Sequence, residues 1–176
     1  MARARTAPDS NLDLSIGFKG QLKLNAEAVP LQEGYLKLGG FVSTSETNGI
    51  EFGRVVSVSA DEPDEFTKGQ ASGNIVRGIA VFDDAIAQNA PAHPNKYLAG
   101  LPCAVINHGF IWIGAWKKEA TSAIDPAIGC KVIFNKTTGE IEFLAASGSA
   151  SGSYAELDGA SVRDVDADKG ALIYLN

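Results

Sequence analysis

Apolar residues recur along this chain in short, turn-bounded runs, and the spacing is that of strands rather than helices. Residues 51–59 are rich in β-branched side chains and predict a strand with Phe52, Val56 and Val58 on one apolar face and Arg54 opposite. The turn-prone acidic stretch 61–65 ends it. Residues 75–82 predict a second strand, interrupted at Gly78 where a bulge fits. Two hairpins follow. Residues 102–106 and 110–114 flank the short connection Asn107-His108-Gly109, and residues 131–134 and 140–144 flank residues 135–139. In the second hairpin Glu140 and Glu142 alternate with Ile141 and Phe143, which predicts one wet face. Residues 172–175 close the chain as a final strand.

Helix is scarce. Only residues 83–88 have the look of a capped helical start, and Pro91 and Pro94 stop it. Residues 145–153 are almost entirely Ala, Ser and Gly and read as a flexible surface loop. There is no internal repeat and no composition break within the body. Many short strands with turns between them predict an all-β fold: a compact β-barrel or β-sandwich of short antiparallel strands, preceded by an extended N-terminal arm. Residues 1–15 read as that arm and residues 16–176 as a single β-domain, a length that buries a core without staples.

Charge sharpens the division. The net charge is −6, yet Arg3 and Arg5 give residues 1–8 a charge of +2 and leave −8 for the rest. An acidic body argues against nucleic acid as the main partner, because phosphate binding needs a basic face. A basic arm suits docking on an acidic protein surface, or is a plain disordered terminus. No apolar run approaches the ~20 residues that span a bilayer, so no membrane is expected and the chain reads as soluble. No apolar stretch follows the basic start, so it is not a secretory signal. Cys103 and Cys130 read as reduced core thiols of a protein made in a reducing cytoplasm.

Candidate chemistry is thin. Alternating carboxylates at Asp164, Asp166 and Asp168 suit a hard cation, but Gly170 falls one place late for a calcium loop and Leu175 stands where a bidentate Glu is needed. They read as a solvated turn. His93, Cys103, His108 and Cys130 lack any close ligand pair for zinc. No nucleophile elbow and no phosphate loop occur, and the serines of residues 147–153 sit in a loop too loose to preorganise attack. Asp83 and Asp84 read as helix caps rather than a general-acid pair. His108 reads as an exposed hairpin-tip residue without an orienting carboxylate. No catalytic residue, metal site or cofactor is expected.

Trp112 and Trp116 stand four apart on a candidate strand. Trp112, between Ile111 and Ile113, reads as core, whereas Trp116, followed by Lys117 and Lys118, is the better surface candidate. Near the start, Gly17 and Gly20 bracket Phe18 and Lys19, a tight bend presenting an aromatic and a cation; Phe18 either anchors on a partner or plugs the core.

Taken in order, several segments resemble the tailed-bacteriophage structural cement proteins, which decorate capsids. They are Gly17-Phe18-Lys19-Gly20-Gln21-Leu22, Ile50-Glu51-Phe52-Gly53-Arg54-Val55-Val56, Gly78-Ile79-Ala80-Val81 and Tyr97-Leu98-Ala99-Gly100 leading to residues 105–113. Ile128-Gly129-Cys130-Lys131-Val132 and Leu172-Ile173-Tyr174-Leu175 complete the set. Residues 83–95 and the loop at Ser147 look like insertions. The resemblance implies a non-enzymatic virion protein that binds the outside of the head, clamps neighbouring major capsid protein subunits and associates with itself as a homodimer or homotrimer. Arg3, Arg5, Phe18, Lys19 and Trp116 are then the candidate capsid-binding residues. The alternative is a virion-displayed carbohydrate-binding or host-adhesion module using Trp116 and the Ser147 loop. A small hydrolase built on His108 is the third reading.

Overall fold

The computed structural model describes residues 35–81, 96–114, 116–167 and 170–176. The predicted arm, residues 1–15, and the predicted helical start, residues 83–88, lie outside them. Among the described residues every regular element is a strand: β1 Tyr35–Val42, β2 Ile50–Glu51, β3 Val55–Val58, β4 Glu65–Lys68, β5 Ile75–Ala80, β6 Lys96–Tyr97, β7 Pro102–Ile113, β8 Lys131–Asn135, β9 Ile141–Leu144, β10 Tyr154–Asp166 and β11 Gly170–Leu175. The fold is all-β, as the run lengths predict.

Five strands close into a barrel in the order β1-β4-β3-β5-β7, with β7 pairing back onto β1. All its pairings are antiparallel except β1 with β4, where Phe41 and Val42 lie parallel to Glu65 and Phe66. From β7 a second sheet continues as β11-β10-β8-β9, antiparallel throughout. A two-stranded ribbon of β2 and β6 lies apart from this ladder, with Phe52 stacked edge-on to Tyr97 at 5.1 Å.

The first predicted hairpin does not exist. Asn107-His108-Gly109 lies inside the twelve-residue strand β7, which belongs to both sheets. On one edge β7 pairs with β1 from Pro102 to Gly109. On the other it meets β5 at Val105 and Ile106, then β11 from Gly109 to Ile113. Two consecutive apolar runs, 103–106 and 111–113, are fully or nearly fully buried. Such runs belong to a strand covered on both faces, which no two-period alternation reports. The turn-like residues between them mark a bulge: opposite Asn107 the register with β1 slips by one residue.

Residues 51–59 also divide. Phe52 and Gly53 form a turn between β2 and β3, so Phe52 reaches Tyr97 rather than sharing a strand face with Val56, and Val55, Val56 and Val58 are all buried. The bulge predicted at Gly78 is present, since Val56 faces Gly78 while its neighbour Ser57 faces Val76. The second hairpin forms as β8 and β9, but its face is not wet at Glu142, which is 1% exposed. Cys103 and Cys130 are free and buried, and burial pushes the Cys103 thiol far above its ordinary range.

Candidate functional site

Arg3, Arg5, Phe18 and Lys19 lie outside the described residues. Trp116 is described: it follows the end of β7, so strand periodicity does not place it with Trp112. Its ring is partly buried and meets Phe143 edge-on at 6.0 Å. Trp112 is core, at 2% exposure. Trp116 lines a cleft of about 30 Å³ with Phe52, Gly53, Arg54, Lys117, Glu140 and Ile141. That volume holds a water and nothing larger.

The cleft is a joint between the two sheets. Arg54 ion-pairs with Glu51 beside it and, through Nη1, with Glu140 Oε1 at 2.8 Å. Lys117 stands 3.8 Å from the same Glu140 carboxylate and 3.7 Å from Glu119. Backbone bonds reinforce the joint: Val55 N–H donates to Gly139 O at 2.9 Å, and Gln70 N–H to Lys136 O at 2.7 Å. Glu142 holds the covering segment in place. Its Oε2 accepts the N–H groups of Glu119 at 3.1 Å and Ala120 at 2.8 Å, as a buried carboxylate requires. Tyr154 lies nearby, its phenol pushed above its ordinary range by burial first and then by its bond to Glu142.

Residues distant along the chain assemble a further outward surface. His108 and Phe110 alternate on β7, opposite Tyr174 of β11. Tyr174 lies 5.9 Å from His108 and 4.9 Å from Phe110, ring to ring, and the Arg163 guanidinium stands 5.3 Å over its face. His108, Phe110 and Tyr174 are partly exposed and Arg163 is exposed. His108 is thus a strand residue in an aromatic row, not a hairpin tip. The row closes at its far end, where Trp112 and Leu172 are buried. The alternation at 108 and 110 was visible in the sequence. Its pairing with Tyr174 and Arg163 depends on long-range register and was not.

Aromatic rings beside an arginine are what protein interfaces favour. Among the described residues, no three His, Cys, Asp or Glu side chains are placed to hold a metal. Other large apolar side chains also reach solvent, with Ile128 at 73%, Ile75 at 53%, Phe41 at 50% and Val165 at 40% exposure.

Comparison with known proteins fits that character. Residues 8–176 match the family model described as structural cement protein (E217 gp24/Pam3 gp6). A chain in the solved structure "The capsid of Myoviridae Phage XM1" superposes with a TM-score of 0.62 at 17% identity, covering 100% of this chain and 98% of that one. At that identity the likeness is one of fold. No curated protein matches the sequence. The family match covers nearly the whole chain and supports a structural role associated with the phage capsid. The chain belongs to the phage structural cement protein family.

Proposed function

We propose that this protein binds the outer surface of the assembled head and stabilises contacts between major capsid protein subunits. The observation that carries the reading is the family match over residues 8–176, which takes in most of the N-terminal segment together with the β-domain. The physics supports it. A ligand that binds only the assembled shell stabilises that state by mass action, and many copies across subunit seams add modest contacts into a large effect. A double sheet with its halves ion-paired and hydrogen-bonded together suits a part that must transmit tension without yielding. On this reading Arg3, Arg5, Phe18 and Lys19 grip the shell, with Trp116 contributing what its partly buried ring leaves exposed. The protein acts as a homodimer or homotrimer made in the host cytoplasm, where the buried Cys103 and Cys130 stay reduced.

The test uses undecorated, expanded heads of the phage that encodes the chain. Added protein should co-sediment with them, raise their melting temperature and remain accessible to externally added protease. Deleting residues 1–20 should abolish decoration while the far-ultraviolet circular dichroism of the β-domain is unchanged. Full occupancy by the truncated chain removes the arm's assigned role. Failure of the intact chain to bind heads removes the capsid reading itself.

A further inference from the structure

Where β7 passes from the barrel to the second sheet, its two neighbours on one edge part company. β5 pairs with β7 only at Val105 and Ile106, and β11 takes over at Gly109. Between them lies a groove of about 560 Å³. One wall is Ile75–Gly78 of β5, whose far edge pairs with β3 and whose near edge has no strand against it among the described residues. The other wall includes Glu156, Leu157 and Asp158 of β10. There Glu156 pairs with β8, and β11 ends before reaching this level, because the ladder between β10 and β11 starts at Ser161 and Tyr174. Among the described residues, two β edges without a strand against them therefore border one hollow. Asn107 lines it too, and its Oδ1 is a buried acceptor with no hydrogen-bond partner among the described residues.

Resting on the capsid reading above, we infer that this groove receives one extended segment of the shell subunit as an added β-strand. Unfilled edges offer backbone donors and acceptors at strand spacing, which an extended peptide matches and a globular or polyanionic ligand does not. The four residues Ile75–Gly78 span ~13 Å, enough for four residues of partner. The charges at the walls also select a peptide. Glu156 is already held by Lys131 at 3.0 Å, which leaves Arg77 on one wall and Asp158 on the other without ion partners among the described residues. One charge of each sign attracts neither a phosphate chain nor a polycation.

Hydrogen exchange on the full chain, free and bound to expanded heads, tests the inference. On heads, amides of residues 75–78 and 156–158 should exchange at least ten-fold more slowly than in the free protein. Asp158→Lys, an exposed change that leaves the fold intact, should weaken head binding about ten-fold by reversing a rim charge. Binding of the wild type to heads with unchanged exchange in the groove, or unchanged affinity in the Asp158→Lys variant, overturns this inference and leaves the capsid reading standing. Failure to bind heads at all overturns both. Protection already present without heads points elsewhere: lost on deleting residues 1–20, it assigns the groove to the chain's own N-terminal segment, and growing with concentration, it assigns the groove to a second copy. Either result overturns the shell segment as occupant.

Discussion

The barrel and the second sheet face the same difficulty, an open β edge, and resolve it by different means. The barrel closes by backbone ladder: β1 pairs with β7 over seven residue pairs, and no end strand remains. The second sheet ends at β9, and there the chain leaving β7 folds over it. Lys117 N–H donates to Ile141 O at 3.0 Å, and Ile124 bridges to Phe143. The Glu142 carboxylate holds residues 119 and 120 from beneath. One half is thus closed by a seven-pair ladder with a single bulge and the other by a few backbone bonds, one buried carboxylate and an aromatic contact. Closure by ladder spreads its strength over many equivalent bonds. Closure by side chains concentrates it, so the second sheet should be the half where single substitutions reach furthest.

The sharpest way to break this contrast is Phe143→Ala. Phe143 is fully buried, pairs with Val132 and carries the edge of Trp116. Truncation should cost about 3–5 kcal/mol in denaturant unfolding. Because β7 runs through both halves, the transition should stay single. Hydrogen exchange should then accelerate first at residues 116–124 and in β9, with β1 and β3 amides little affected. Two separate transitions would mean that the shared strand does not couple the halves.

Next in size is a pair of glycines that β7 demands in both halves alike. Gly78 of β5 has φ 141° and Gly170 of β11 has φ 92°. A Cβ on Gly78 would collide with the carbonyl of Ile106, and one on Gly170 with the carbonyl of Ile113. Gly78→Ala and Gly170→Ala should each cost about 2–3 kcal/mol, through strain at positive φ and displacement of the β7 backbone. Equal losses from thermal melts would show that the two sheets join β7 with equal tightness. A much smaller loss at Gly170 would mark the second sheet as the half able to give way.

These elements also show what could be read from residues alone. The β8–β9 hairpin, the last strand, the bulge at Gly78 and the burial of Trp112 and both cysteines were legible, because each depends on near neighbours in the chain. β7 was not. Asn107-His108-Gly109 has turn composition, and only the pairing of distant β1, β5 and β11 keeps it extended. Glu142 misled for the same reason: alternation predicts which face a residue takes, not whether a later segment covers that face. Of the candidate binding residues, Trp116, expected at the surface, is partly buried against Phe143. The patch of His108, Phe110, Tyr174 and Arg163 draws on three strands, and only the alternation of His108 and Phe110 shows along the chain.

The smallest expected effect sharpens the contrast most finely. The ion pairs at the joint are half-buried, with Arg54 and Glu140 side chains each 17% exposed, while Lys117 is 51% exposed. Holding two long side chains in one geometry offsets much of their attraction, so Arg54→Met should cost at most about 1 kcal/mol. The methionine keeps the aliphatic stem's contacts and removes the charge. If the joint is chiefly electrostatic, the difference from wild type should shrink as salt rises toward 1 M, where screening acts within a few ångströms. If the backbone bonds from Val55 to Gly139 and from Gln70 to Lys136 do most of the joining, the difference should be small at every salt concentration. The second outcome would make the joint a ladder like the barrel's own seam, and the distinction between the halves would then rest on the segment covering β9 alone.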